Sequence, residues 1–96
     1  MDLTLHITSP LSVMVQPSGQ LTVDVGARAQ ITCLVSGSSP HPTATRSWLK
    51  DGHVIGSGTE VLLLEKVQRE DAGMYQCMVR TEEDSAQSAV QLRLGG

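Results

Sequence analysis

Apolar and polar residues alternate along most of this chain. Leu11, Val13 and Val15, then Leu21, Val23 and Val25, then Ile31, Cys33 and Val35 repeat at period two, as do Leu62 with Leu64, Tyr75, Cys77 and Val79, and Val90, Leu92 and Leu94. That spacing sends successive side chains to opposite faces of a β-strand. Pro17-Ser18-Gly19, Gly26 and Gly56-Ser57-Gly58 punctuate the runs, and Asp51-Gly52 between Lys50 and His53 is a strong two-residue hairpin signal. The pattern predicts strands over 11–15, 21–25, 29–36 and 86–94, one around Trp48, one starting at Glu60 or Val61, and one over 73–81. Only a short return strand at Val54-Ile55 fits between Trp48 and Val61. At about 3.3 Å per residue, that interval is too brief for two full strands and their turns.

The rest of the chain reads as arms and loops. Leu3, Leu5 and Ile7 alternate with Thr4, His6 and Thr8 until Ser9-Pro10 breaks the run. Residues 1–9 are therefore expected to be an N-terminal arm, either the tail of a preceding domain or an edge strand. Residues 10–94 are expected to form a single domain, with Met1 an initiator and Gly95-Gly96 a severed linker. Between 36 and 47 the composition turns to Ser, Pro, Thr and Gly, a long loop, and Glu82-Glu83-Asp84 with Ser85 is read as a hairpin tip.

Two cysteines decide more than the bulk composition does. A domain of 96 residues buries only roughly 60–65 % of its unfolded surface, so a covalent staple matters. Cys33 and Cys77 each sit in an alternating run, have no third thiol to choose from and show no metal-ligand spacing. They read as one disulfide formed in an oxidising compartment, stabilising by about 4 kcal/mol in the chain-entropy description. The alternative is a reduced pair in the core of a cytosolic sandwich. A cysteine, Trp48 fifteen residues on, and Tyr75-x-Cys77 preceded by Asp71 and Gly73 form the signature of an immunoglobulin sandwich. The fold class expected is all-β, an immunoglobulin-like antiparallel sandwich of I-set or C2 type whose D strand is short or missing; that fold implies 11–15, 29–36 and 61–64 in one sheet, and 21–25, 86–94, 73–81 and the Trp48 strand, with a stub beside it, in the other.

Charge and hydropathy narrow the function classes. The formal net charge is −3 and the basic residues are scattered, which offers no footprint for nucleic acid or an anionic membrane. No run of 18 apolar residues and no signal-peptide pattern occurs, so no membrane insertion by this segment is expected and the chain reads as a module of a larger secreted or surface protein. Asparagine is absent, which removes any N-glycosylation acceptor.

Candidate chemistry is sparse. His6, His41 and His53 fall on the arm, the loop and the turn, at no metal-ligand spacing. Glu82-Glu83-Asp84 lacks the distant ligands that calcium needs and reads as a solvated cluster. No catalytic residue, metal or cofactor is expected. Tyr75, two residues before Cys77, is placed to bond back to the backbone at the preceding turn, and Asp71 is expected to take a charge-assisted bond from Arg28 or Arg69. Trp48, Leu62 and Leu64 complete the expected core. Leu34, Val61 and Leu63 point outward from one sheet, Leu49 and Met78 from the other, and these five are the candidate contact residues. Arg46 falls on the inner face, two residues before Trp48. Either a bulge shifts the register or its side chain snorkels out, since a buried unpaired guanidinium is costly.

Beyond the fold signature, the chain resembles I-set domains along almost its whole length. The residues that carry this are Gly26, Cys33, Trp48-Leu49-Lys50-Asp51-Gly52, Leu62-x-Leu64-x-x-Val67 and Asp71-x-Gly73-x-Tyr75-x-Cys77. Pro10-Leu11-Ser12-Val13, Gly73-Met74-Tyr75-Gln76-Cys77-Met78-Val79-Arg80 and Ser85-Ala86-Gln87 resemble the Dscam (Down syndrome cell adhesion molecule) family, most of all its fifth immunoglobulin domain. The resemblance implies an extracellular module of a neuronal surface receptor that binds homophilically. Its partners would be adjacent immunoglobulin domains of the same chain or a like molecule, and its task adhesion or the spacing of neighbouring domains. The longer loop at 36–47 and Arg46 depart from the pattern. The other function class is a soluble pattern- or ligand-binding receptor that uses the 36–47 loop and the 82–85 tip. An intracellular elastic unit comes after it, and an enzyme last.

Overall fold

The computed structural model describes residues 11–36, 45–81 and 85–95. Eight strands follow one another: β1 (Ser12–Gln16), β2 (Gly19–Val23), β3 (Ala29–Ser36), β4 (Thr45–Lys50), β5 (His53–Ser57), β6 (Val61–Leu64), β7 (Gly73–Arg80) and β8 (Ser85–Leu94), with a 3-10 turn at Arg69–Asp71. They form two sheets, one of order β1-β3-β6 and one of order β2-β8-β7-β4-β5. This is the layer composition that the immunoglobulin signature implies, without a full D strand between β5 and β6. Every pairing is antiparallel except that of β2 with β8, which is parallel.

The core lies where the inward parities of the two sheets meet. Val15, Ile31, Cys33, Trp48, Tyr75, Cys77, Val79, Val90 and Leu92 are buried there, with Leu62, Leu64, Leu21 and Val23 packed against them. The Cys33 and Cys77 sulfurs are 1.99 Å apart, with a Cα–Cα distance of 6.2 Å. Trp48 stands opposite Cys77 in the β4–β7 register, so the indole lies beside the bridge. Fully burying an aromatic side chain of this class contributes roughly 1.5–3 kcal/mol.

The chain crosses from one sheet to the other over residues 58–60, where a D strand would otherwise run. Gly58 N–H donates to Arg46 O at 2.9 Å on the five-stranded side, and Cys33 N–H donates to Glu60 O at 2.8 Å on the other. Between them, Thr59 O accepts the Trp48 Nε1–H at 2.9 Å. The one polar atom of the buried indole is thereby satisfied.

Some boundaries differ from the sequence-based expectation. The second strand ends at Val23, and Val25 is exposed in the turn beyond it. β4 already begins at Thr45, inside the expected loop, because Thr45 to Ser47 pair with Arg80 to Met78 of β7. Ser85 opens β8 by pairing with Arg80 and is no part of a tip. Val35 keeps the inward parity yet is 37 % exposed, because it sits near the end of its strand beyond the bridged layer. The arm over 1–9, most of the 36–47 loop with His41, and Glu82-Glu83-Asp84 lie outside the described residues.

Candidate functional site

The two-residue turn Asp51-Gly52 begins one end of the sandwich. Both residues have positive φ, 51° and 87°, the conformation that a type I′ hairpin requires. Asp51 N–H donates to Met74 O at 2.8 Å, and Asp51 Oδ1 accepts Met74 N–H at 3.0 Å. The carboxylate reaches β7 because Gly73, at φ 150°, has no side chain: a Cβ there would lie 2.6 Å from Asp51 Oδ2. Lys50 Nζ donates to Glu70 O at 2.6 Å and lies 3.8 Å from Asp51 Oδ2.

Tyr75 bridges the same end. Its hydroxyl donates to Asp71 O at 2.6 Å, the tyrosine corner of this sandwich type. Burial, with Asp71 and Asp51 nearby, pushes the phenol up to about 12. The Asp71 side chain does not take the arginine contact expected of it. Its Oδ2 accepts the Gln68 N–H at 2.7 Å, capping the 3-10 turn that it closes. Buried Val67, just before this turn, ties it to the connection between β2 and β3: its carbonyl accepts Gly26 N–H at 2.7 Å and its N–H donates to Ala27 O at 2.8 Å. Asp71 and Tyr75 are thus spent on holding the fold.

At the other end the packing loosens. Arg46 keeps its inward parity opposite Val79 in an unbroken register; the bulge lies later, between Trp48 and Leu49, where Ile55 is the extra residue of β5. Neither a register shift before Trp48 nor complete escape to solvent occurs. The residue is half-buried, and its Nε is the only enclosed side-chain polar atom without a hydrogen-bond partner among the described residues. One N–H left so costs about 1–3 kcal/mol.

The outer faces hold the candidate contact residues. On the three-stranded sheet, Leu34, Val61 and Leu63 point outward at 38 %, 40 % and 44 % exposure, joined by Met14 at 52 %. Met14 pairs with Leu34, Gln30 with Leu63, and Thr32 with Val61, so the four lie on neighbouring rows of one surface. Sequence reasoning passed over Met14, although the parity of Val13 and Val15 already placed it there. On the five-stranded sheet, Leu49 and Met78 are half-buried among Ser47, Gln76 and Gln87. Gln76 Nε2 donates to Gln87 Oε1 at 2.9 Å across β7 and β8. Val54 pairs with Leu49 and is exposed, and the charged residues of that face are Arg80 and Arg93 at opposite ends of the β7–β8 pair. The described residues contain no group of three His, Cys, Asp or Glu placed to hold a metal ion. His53 is exposed in its turn.

The sequence model of the immunoglobulin domain family matches residues 11–81. Cell adhesion molecule Dscam1 of Drosophila melanogaster is 45 % identical over 95 residues, covering 99 % of this chain and 4 % of that protein. Dscam2 of the same fly is 38 % identical over 98 % of this chain and 5 % of its own length, and human DSCAM is 28 % identical over 94 % and 5 %. The chain spans about a twentieth of the length of these relatives. Among solved structures, the N-terminal four Ig domains of Dscam1 isoform 4.44 match with a TM-score of 0.81 and 45 % identity, over 92 % of this chain and 21 % of that one. The N-terminal eight Ig domains of DSCAM isoform 1.30.30 match at 0.82 and 46 %, over 93 % and 11 %. Four-domain and eight-domain fragments match equally well, so these likenesses do not single out a fifth domain.

Proposed function

The chain belongs to the immunoglobulin domain family, and from that premise we propose that it is a non-catalytic module of an extracellular cell-adhesion receptor. It would present its sheet faces to neighbouring domains of its own chain or to a like molecule, with residues 10–94 as the folding unit. The observation that carries this reading is the 45 % identity to Dscam1 across 99 % of the chain, on a sandwich whose motif residues are occupied by structure. Cys33, Cys77, Trp48, Tyr75 and Asp71 bond to one another's strands and turns, leaving outward side chains as the means of contact. The disulfide supports an oxidising, extracellular setting, and no helix among the described residues is long and apolar enough to cross a membrane.

A chimera tests the reading. The 96 residues replace the matching segment of Drosophila Dscam1, and the receptor is expressed on non-adherent cells. Surface delivery with retained aggregation is expected. A chimera that reaches the surface but no longer aggregates cells overturns the adhesion reading. Free thiols in the denatured, unreduced secreted chain overturn the extracellular assignment.

A further inference from the structure

We propose that Asp51 is a covalent modification site: its side chain cyclises onto the nitrogen of Gly52 and reopens as isoaspartate, a reaction that the Asp51–Met74 clamp holds back in the folded chain. The sequence isolates this position. The chain has five aspartates, Asp2, Asp24, Asp51, Asp71 and Asp84, and no asparagine. Leucine, valine, alanine and serine follow the other four, and only Asp51 precedes a glycine. A side chain on the following residue crowds the amide nitrogen that must attack, and glycine has no Cβ to do so. Asp51 and Gly52 are both exposed, with 55 % of the Asp51 side chain open to solvent, so water reaches the reacting groups.

The reaction balances with water alone. In the first step the Gly52 nitrogen bonds to Asp51 Cγ, and the protonated carboxyl gives up its hydroxyl. The amide proton leaves with that hydroxyl as water, and a five-membered succinimide remains. In the second step one water adds to the ring. Attack at Cγ restores aspartate. Attack at the main-chain carbonyl carbon breaks its bond to the Gly52 nitrogen, and the backbone then runs through Cβ and Cγ as isoaspartate. Nothing is oxidised or reduced.

The fold opposes the first step at two points. Closure needs Cγ at about 3–3.5 Å from the nitrogen, with the orbitals aligned. Asp51 Oδ1 instead accepts Met74 N–H at 3.0 Å, which aims the carboxylate across at β7, into space left open by the missing Cβ of Gly73. The backbone is held as well, because Asp51 N–H donates to Met74 O at 2.8 Å and fixes the turn with φ at 51° and 87°. The same geometry makes the product disruptive. Isoaspartate lengthens the main chain of a two-residue turn by one atom, so a type I′ hairpin no longer fits between Lys50 and His53. Its carboxylate also moves off the position that meets Met74, and the clamp does not re-form.

The test is ageing at neutral pH and body temperature, with isoaspartate located by peptide mapping and mass spectrometry. The disulfide-bonded folded chain is compared with the same chain reduced, alkylated and held unfolded in guanidinium chloride. Unfolded, isoaspartate is expected at Asp51 ahead of every other aspartate. Folded, its accumulation there should be slower by roughly tenfold or more, since the clamp must open first. Gly73→Ala, verified as folded by circular dichroism, should speed the folded reaction by about threefold or more, because it pushes the carboxylate off β7. Val90→Ala, which loosens the core without touching the clamp, should not. Isoaspartate arising first at another aspartate, equal rates in the folded and unfolded chains, or a folded Gly73→Ala no faster than the unchanged protein overturns the proposal. So does equal acceleration by Val90→Ala, which would trace the reaction to general unfolding. If Gly73→Ala does not fold, the ratio of rates in the unchanged chain decides.

Discussion

The two ends of this sandwich are built on opposite terms. At the end holding the Asp51-Gly52 turn, backbone and side chains are locked together. Asp51 clamps Met74 twice, Tyr75 caps Asp71 O, Asp71 caps Gln68, and Val67 bonds to the connection between β2 and β3. At the far end Val35 stands partly in water, and the enclosed Nε–H of Arg46 has no hydrogen-bond partner among the described residues. Both ends use the same alternating strands, so the difference lies in turn chemistry and in which polar groups find partners. The lesson is that hydrophobic parity sets the layers, while local hydrogen bonding decides where the molecule is rigid. At that far end β3 stops and β4 starts, as do β7 and β8.

The sharpest way to break this asymmetry is Gly73→Ala. A methyl group 2.6 Å from Asp51 Oδ2 at φ 150° forces the clamp apart, and we expect a loss of roughly 3 kcal/mol in urea unfolding, combining backbone strain with lost hydrogen bonds. Adding Asp51→Ala should recover part of that loss, because the clashing carboxylate is gone. Full additivity of the two changes would show that the clash is not the cause.

Alkali should loosen the same end next. The Tyr75 phenol titrates near 12 when folded against 10 when unfolded. Below pH 10 both states keep the proton. Between 10 and 12 the unfolded chain releases it first, so stability falls by roughly 2–3 kcal/mol across that window. In Tyr75→Phe that step should vanish, while stability at pH 7 drops by about 1–2 kcal/mol because Asp71 O loses its donor. Parallel pH profiles for the two proteins would refute the assignment.

At the open end the expected sign reverses. Arg46→Met removes the enclosed Nε–H and keeps an unbranched apolar stem opposite Val79, so the melting temperature should hold or rise, by about 1 kcal/mol at most. A drop as large as that of Tyr75→Phe would mean that Arg46 has a partner in solution and that the two ends are alike.

Much of this was legible from the chain alone, because period-two alternation and a few turn dipeptides are local signals. The strands, the hairpin at Asp51-Gly52 and the interval too short for a D strand follow from them, whereas the sheet order follows from the immunoglobulin signature and the disulfide from there being only two cysteines. The tyrosine corner follows from the spacing of Tyr75 to Cys77. What escaped was set by geometry between distant segments. Asp71 found the Gln68 N–H three residues away instead of an arginine, since a closing 3-10 turn leaves that N–H to be capped. Gly73 is needed because a carboxylate 22 residues earlier occupies the space a Cβ would take. Parity places Val35 inward, but only the stacking of the layers shows that it lies past the covered region.

The parallel pairing of β2 with β8 bears on how such a module behaves under load. Five residue pairs, from Gly19 with Val90 to Val23 with Leu94, hold the two strands side by side. When the chain is stretched from both sides, β2 is drawn toward its start and β8 toward its finish. The bonds between them are then strained in shear all at once instead of opening in turn like a zipper, which suits the tension that the proposed adhesive role would bring.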